Sequence, residues 1–431
     1  MSALGRSEFA VGAARCDITP PLGTVFLGVN PRHQSFTGVE TPLELRVAVF
    51  KSGPNTVVCI SADLIGLGCT SPETGQSLGH RIRNAVSHRL DVPVASVLVS
   101  ATHAHSTPET SGITTITDSA TLTWASTVPG LAADTAAAAF SDCSPAHLVN
   151  RKSMVPGIAR IRRMRVGNLP SFAPDESLSM VIAHRGGRKK PIVLMNFACH
   201  PVLLQARPVV SSDFPGYAVA SLDRIGIFGL FIQGAAGDVN PLSDEWGNVE
   251  QVQSDADLLS FAVADAVNST ATSTEVVSGG PVAAVQIELP LAKRSMVRST
   301  SQGASEDSFE RPDDDFDGLG QRLGNAHEQL RIPLQFIRIG AAGLVAIPGE
   351  PVTALGALIK AMSPAPLTLI GGCCNDYYGY LVPPWDWIDG GYEVGYGPWS
   401  LVAGESTLTI VTAAVAGLNK LWAAPISAGV Q

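Results

Sequence analysis

Two histidines one residue apart, His103 and His105, close the run Val97-Leu-Val-Ser-Ala-Thr-His103-Ala-His105-Ser-Thr-Pro108. Apolar, β-branched residues lead there into a polar turn, so the pair emerges where a strand leaves its sheet. On a regular strand, residues at i and i+2 share a face. Either both imidazoles reach one cation, or one binds it while the other works on substrate, or the two are hydrogen-bonded surface histidines. A second apolar run, Pro191-Ile-Val-Leu-Met-Asn-Phe-Ala-Cys-His200-Pro, also ends in histidine. Neutral imidazole suits zinc, and catalytic zinc sites take about three nitrogen and oxygen donors and leave one position for water.

A carboxylate follows a third apolar run in Leu344-Val-Ala-Ile-Pro-Gly-Glu350-Pro. Proline and glycine impose a tight turn before Glu350. The acid either projects from the sheet edge toward a cation or caps a helix beginning near Val352. Phenols come from Gly371-Gly-Cys-Cys-Asn-Asp-Tyr-Tyr-Gly-Tyr380 and from Gly390-Gly-Tyr392-Glu-Val. Their oxygens suit a metal or an oxyanion, and their rings equally suit plain packing. Asp238 either orients a ligand histidine or caps a turn, while Asp213 reads as a helix N-cap.

Strands must carry these groups to one place. Leu45 to Phe50, Val57 to Ser61, Ser96 to Ser100, Ile192 to Phe197, Ile227 to Ile232, Val282 to Leu289, Leu334 to Ile339, Leu344 to Ile347 and Leu367 to Ile370 have strand character. Amphipathic stretches at Glu73 to Leu90, Tyr217 to Ile225, Val249 to Val267, Val352 to Met362 and Gly404 to Leu421 predict helices. The class is therefore mixed α/β. Residues 296–324, rich in Ser, Asp, Gly and Arg, read as a polar insertion loop in one catalytic unit, since nothing spaces their carboxylates as a calcium loop requires.

Composition narrows the function classes. A 45% hydrophobic and 16% charged chain of 431 residues buries a full core. Its net charge of −9 offers no footprint for nucleic acid. No apolar run is long enough for a transmembrane segment, and the first residues lack the pattern of a signal peptide. Seven cysteines without a framework spacing favour reduced thiols and a cytoplasmic setting.

Taken in order, Cys16-Asp-Ile-Thr-Pro20, Ser61-Ala-Asp63, Ser100-Ala-Thr-His-Ala-His-Ser106, Phe197-Ala-Cys-His-Pro201, Ser212-Asp-Phe-Pro-Gly-Tyr217, Gly234-Ala-Ala-Gly-Asp-Val-Asn-Pro241, Pro348-Gly-Glu350 and Asn375-Asp-Tyr-Tyr-Gly-Tyr380 resemble the catalytic domain of the neutral, non-lysosomal ceramidases. The resemblance spans nearly the whole chain. It implies an α/β fold of mixed sheets flanked by helices, a single domain over residues 1–431 without the family's C-terminal immunoglobulin-like domain. It also implies one zinc ion held by His103, His200, Glu350 and Tyr380. His105 then faces the scissile amide, Tyr392 matches a tyrosine that hydrogen-bonds the oxyanion, and Arg151 of Asn150-Arg151 matches a substrate-side arginine.

The expected activity is zinc-dependent hydrolysis of an amide in an N-acyl compound, ceramide or a related linear or cyclic amide. The expected partner is that small-molecule substrate, and a homo-oligomer is compatible with the chain. A metal-independent serine hydrolase is disfavoured, because the chain is expected to form no Gly-x-Ser-x-Gly elbow. The non-enzymatic alternative is a catalytically degenerate relative that serves as a binding or scaffold protein.

Overall fold

Strands buried on both faces dominate the fold of this computed structural model. It describes residues 9–26, 34–113, 118–162, 173–187, 189–269, 276–277, 280–294, 329–388, 390–395 and 399–423, so the polar segment 296–324 lies outside the described residues. Glu44–Ser52 illustrates the pattern: Leu45, Val47 and Val49 enter one hydrophobic cluster while Ala48 and Phe50 enter another. A strand with two buried faces reads as a continuous apolar run, which is why it is visible in sequence.

Among the described residues, nine strands form the larger sheet. Its path runs Phe228–Gln233, Ile192–Phe197, Ser177–Arg185, Ser144–Met154, Phe9–Asp17, Glu44–Ser52, Asn55–Ala62, Val97–Ala101, with Val276–Val277 beside Ser144–Met154. The sheet curls until its two ends meet. Arg46 Nε donates to Gly229 O at 2.8 Å and Ser61 Oγ to Phe231 O at 2.6 Å, joining strands far apart along the path. A second sheet, Val282–Leu291, Leu330–Ile339, Ala342–Ala346, Leu367–Gly371, is tied to the first through Asn196. The Asn196 Nδ2 donates to both Ile232 O and Ile370 O at 2.9 Å.

Helices cover the outer faces. Leu78–Leu90 and Ser119–Ser141 pack on each other, and the latter lies on Phe9–Asp17 and Glu44–Ser52. Asp213–Arg224 and Val249–Asn268 cover the other half of the large sheet, and Gly404–Ala423 covers the small one. The mixed α/β class and all nine anticipated strands are present.

Several elements differ from expectation. The first helix begins at Leu78 rather than Glu73, because Ser77 caps it by accepting from His80 N at 3.3 Å. Ser119–Ser141 is a 23-residue helix that the sequence does not advertise. Its buried stripe is largely alanine, which carries little amphipathic contrast. Phe9–Asp17 and Ser144–Met154 were likewise not anticipated; both mix buried with exposed positions and so lack a continuous apolar run.

Candidate metal centre

Three pairs of adjacent parallel strands aim their carboxyl ends at one place: Asn55–Ala62 with Val97–Ala101, Ile192–Phe197 with Phe228–Gln233, and Ala342–Ala346 with Leu367–Gly371. Crevices beyond the carboxyl ends of parallel strands are the common location of α/β sites. Cross-links fix the loops that leave them. The Gln233 side chain donates to Cys199 O at 2.8 Å and Thr102 O at 3.4 Å, so one buried amide holds the residues that precede His200 and His103. Gly372 N donates to Gln233 O and Cys373 N to Gly349 O, which brings in the third pair.

His103 is reached by leaving strand geometry. Its φ of 67° is left-handed, a conformation that costs a non-glycine residue about 1–2 kcal/mol. Its N–H donates to Leu64 O at 2.9 Å and its Nδ1 to Ile65 O at 2.6 Å. The two histidines therefore meet through a turn, not through the pleat of a regular strand. Their Nε2 atoms stand 3.3 Å apart.

His200 is held in the same manner, its N–H and its Nδ1 both donating to Val239 O at 3.0 Å. Glu350 does not cap the helix Thr353–Met362. Instead its Oε2 lies 2.9 Å from His200 Nε2 and 3.4 Å from His103 Nε2, and Tyr377 donates its hydroxyl to Oε1. The nitrogens of His103, His105 and His200 all lie within 4.8 Å of one another, a spacing able to hold a metal ion.

Charge balance at the cluster is specific. Burial opposes a charge on His103, yet Cys373 and Glu350 beside it raise its pKa well above the ordinary value. Burial alone would raise Glu350, but His103 and His200 hold it well below the carboxylate range. Burial and the neighbouring His103 and His200 push His105 well below, and burial also lowers His200. Each of the three Nδ1 atoms faces an oxygen, so in their neutral forms the three imidazoles turn Nε2 lone pairs toward one centre beside a carboxylate. A proton on His103 balances the carboxylate, and a divalent cation would do so with nitrogen and oxygen donors.

Tyr380 stands opposite Glu350 in a short parallel ladder. Its hydroxyl receives a hydrogen bond from Arg162 Nη2 at 3.0 Å. Arg162 also donates to Glu393 at 2.7 Å, to Asn240 at 3.2 Å and to Gly237 O at 2.6 Å. Tyr392 packs edge-on against the Tyr380 ring at 5.9 Å, stacks on Trp399, and lies 5.2 Å from the Arg162 guanidinium.

Arg151 has a different setting. It sits within Ser144–Met154 opposite Met180, near enough to help depress the His184 pKa. The arginine that reaches the tyrosines is Arg162, one residue past the short strand Ala159–Ile161. No motif marks it; its position follows from pairing of that strand with Val239–Pro241. Tyr377 was visible only as one ring of an aromatic run, and Gln205 and Gln233 carried no signal.

Other expectations resolve on geometry. Asp238 accepts from Thr353 N and Oγ1 at 2.7 and 2.8 Å, so it caps a helix, and the neighbouring Val239 carbonyl orients His200. Asp213 is not an N-cap: it lies inside the helix start at φ 50° and its Oδ2 accepts from Leu204 N at 3.0 Å. One string of the nucleophile-elbow pattern does exist, Gly75-Gln76-Ser77-Leu78-Gly79, contrary to expectation. Its Ser77 is the helix cap described above.

Comparison with known proteins agrees with this arrangement at the level of fold. No protein-family model and no curated protein matches the chain. Among solved structures, neutral ceramidase from Pseudomonas aeruginosa superposes with a TM-score of 0.76 at 16% identity, covering 97% of this chain and 75% of that one. A ceramidase complexed with C2 superposes with a TM-score of 0.74 at 15% identity, covering 96% and 75%. The chain thus has the neutral ceramidase fold.

Proposed function

We propose that the chain is a zinc-dependent amidohydrolase cleaving an N-acyl compound, ceramide or a related amide, in one catalytic unit formed by the whole chain. The observation that carries this reading is the convergence of the His103 and His200 Nε2 atoms on Glu350 Oε2, with both Nδ1 atoms turned to backbone carbonyls. His103, His200, Glu350 and Tyr380 would hold the ion. The two structural neighbours are named ceramidases, and ceramide is an N-acyl amide.

Zinc, when bound, supplies Lewis acidity toward a carbonyl and acidifies water near neutral pH. The remaining work falls to side chains. His105, outside the ligand set with its Nε2 turned to the centre, takes the proton of the attacking water and delivers it to the amide nitrogen. An amine is a poor leaving group without that proton. Tyr392 and Arg162 donate hydrogen bonds to the carbonyl oxygen as its charge grows; one such donor is typically worth about a hundredfold in rate. Arg162 thereby takes the part that the sequence suggests for Arg151.

The test is metal analysis of protein purified without chelator, followed by a screen against ceramides, N-acyl amino acids, lactams and simple esters. One zinc per chain and chelator-sensitive amide cleavage are expected. A chain that holds no zinc and gains no activity on its addition is instead a binding or scaffold protein.

A further inference from the structure

We propose that Gln205 is the positioning residue for His105, fixing the tautomer and ring angle that present an unprotonated Nε2 to the centre; this rests on the hydrolytic reading above. His105 Nδ1 lies 3.1 Å from Gln205 Oε1, and Gln205 is 5% exposed. The other two imidazoles of the cluster lean on backbone carbonyls, Ile65 O and Val239 O. A carbonyl oxygen only accepts, so it holds Nδ1–H and leaves Nε2 as the lone-pair nitrogen. Gln205 supplies the same acceptor from a side chain.

The support beneath Gln205 is built. His105 N donates to Pro201 O at 3.1 Å, and Gln205 N to Val202 O, so both ends of the contact are tied to the segment that follows His200. Asp213 Oδ2 clamps the adjacent Leu204 N, and Gly247 N donates to Leu203 O.

Gln205→Met preserves length and removes the acceptor; Gln205→Glu preserves an oxygen. Nitrogen-15 spectra of histidine-labelled protein report tautomers without any assay. The wild type is expected to show His105 as the Nδ1–H tautomer, Gln205→Met to populate Nε2–H, and Gln205→Glu to restore Nδ1–H. On the best amide substrate, Gln205→Met is expected to lower kcat about 10- to 100-fold with KM and zinc content unchanged. A wild-type His105 found as Nε2–H, or a Gln205→Met variant with tautomer and kcat both unaltered, overturns the proposal. If the wild type cleaves no amide while the tautomer still shifts in Gln205→Met, the hydrolytic reading fails and the positioning role stands.

Discussion

Glu350 and Tyr380 are direct partners in a two-residue parallel ladder, Glu350–Pro351 against Tyr380–Leu381. Glu350 N donates to Gly379 O at 2.9 Å, and Tyr380 N donates in turn to Trp399 O at 2.7 Å. Partners in register on adjacent strands project to the same face. A carboxylate and a phenol from separate loops are thereby delivered side by side, without either belonging to one of the two main sheets.

The ladder leaves no room at Gly349. Its φ is 154°, and an added Cβ would approach Gly379 O to 2.6 Å. Gly349→Ala should displace Glu350, weaken zinc binding at least about tenfold and destabilise the fold by about 1 kcal/mol or more. Competition with a zinc-sensitive chelator and urea denaturation measure the two effects.

His103 and His105 should separate on substitution. His103→Ala removes a proposed ligand and is expected to abolish both metal and turnover, whereas His105→Ala should keep most zinc and lose at least about a hundredfold in kcat. Equal zinc loss in both variants would show that both imidazoles bind the ion.

Gln233 controls two proposed ligands at once. Replacing it by leucine leaves Cys199 O and Thr102 O without that donor, at a cost of about 1–3 kcal/mol for buried groups. Zinc affinity should fall together with stability in Gln233→Leu, although the side chain touches no proposed ligand atom. Unchanged affinity would mean that the backbone alone fixes the loops.

Arg162 and Glu393 form a buried pair at 2.7 Å, with Glu393 fully enclosed. Burial opposes the charge of Arg162, but Tyr380 and Glu393 raise its pKa above the ordinary value. Arg162→Met strands a buried carboxylate and should cost about 3–5 kcal/mol. Adding Glu393→Gln should recover part of that loss, a coupling that a double-mutant cycle in urea detects. Turnover should stay low in both variants, since the proposed donor beside Tyr392 is gone.

Asp255 predicts a pH dependence of stability. Burial pushes its carboxyl up to about 7, Gln251 lowers it less, and Asp213 adds repulsion. The raised value means that the folded state holds a proton the unfolded chain has released. Stability from this group is therefore complete below about pH 4 and declines as pH rises to about 7, then levels. Asp255→Asn should remove that part of the decline and exceed the wild type at pH 8 by about 1 kcal/mol or more. Equal stability of the two at pH 5 and pH 8 would refute the assignment.

Much of this was legible in the order of residues. Each of His103, His200 and Glu350 follows an apolar run long enough to be a buried strand, and local hydrophobicity alone marks where such a strand ends. Glycine and proline before Glu350 encode its turn in the same local way. The positions of Arg162, Gln205, Gln233 and Tyr377 were not legible, because each acts on a partner brought near only by the pairing and packing of separate strands and loops. Arg151 and Arg162 look alike as isolated arginines. Strand pairing places them differently, carrying Arg162 to Tyr380 and Glu393 while Arg151 stays opposite Met180 in the large sheet. Sequence thus determined which chemical groups stand at the strand ends. Only the pairing and packing of the strands decided which distant donors hold them, since register and curvature are properties of pairs of strands and not of any one segment.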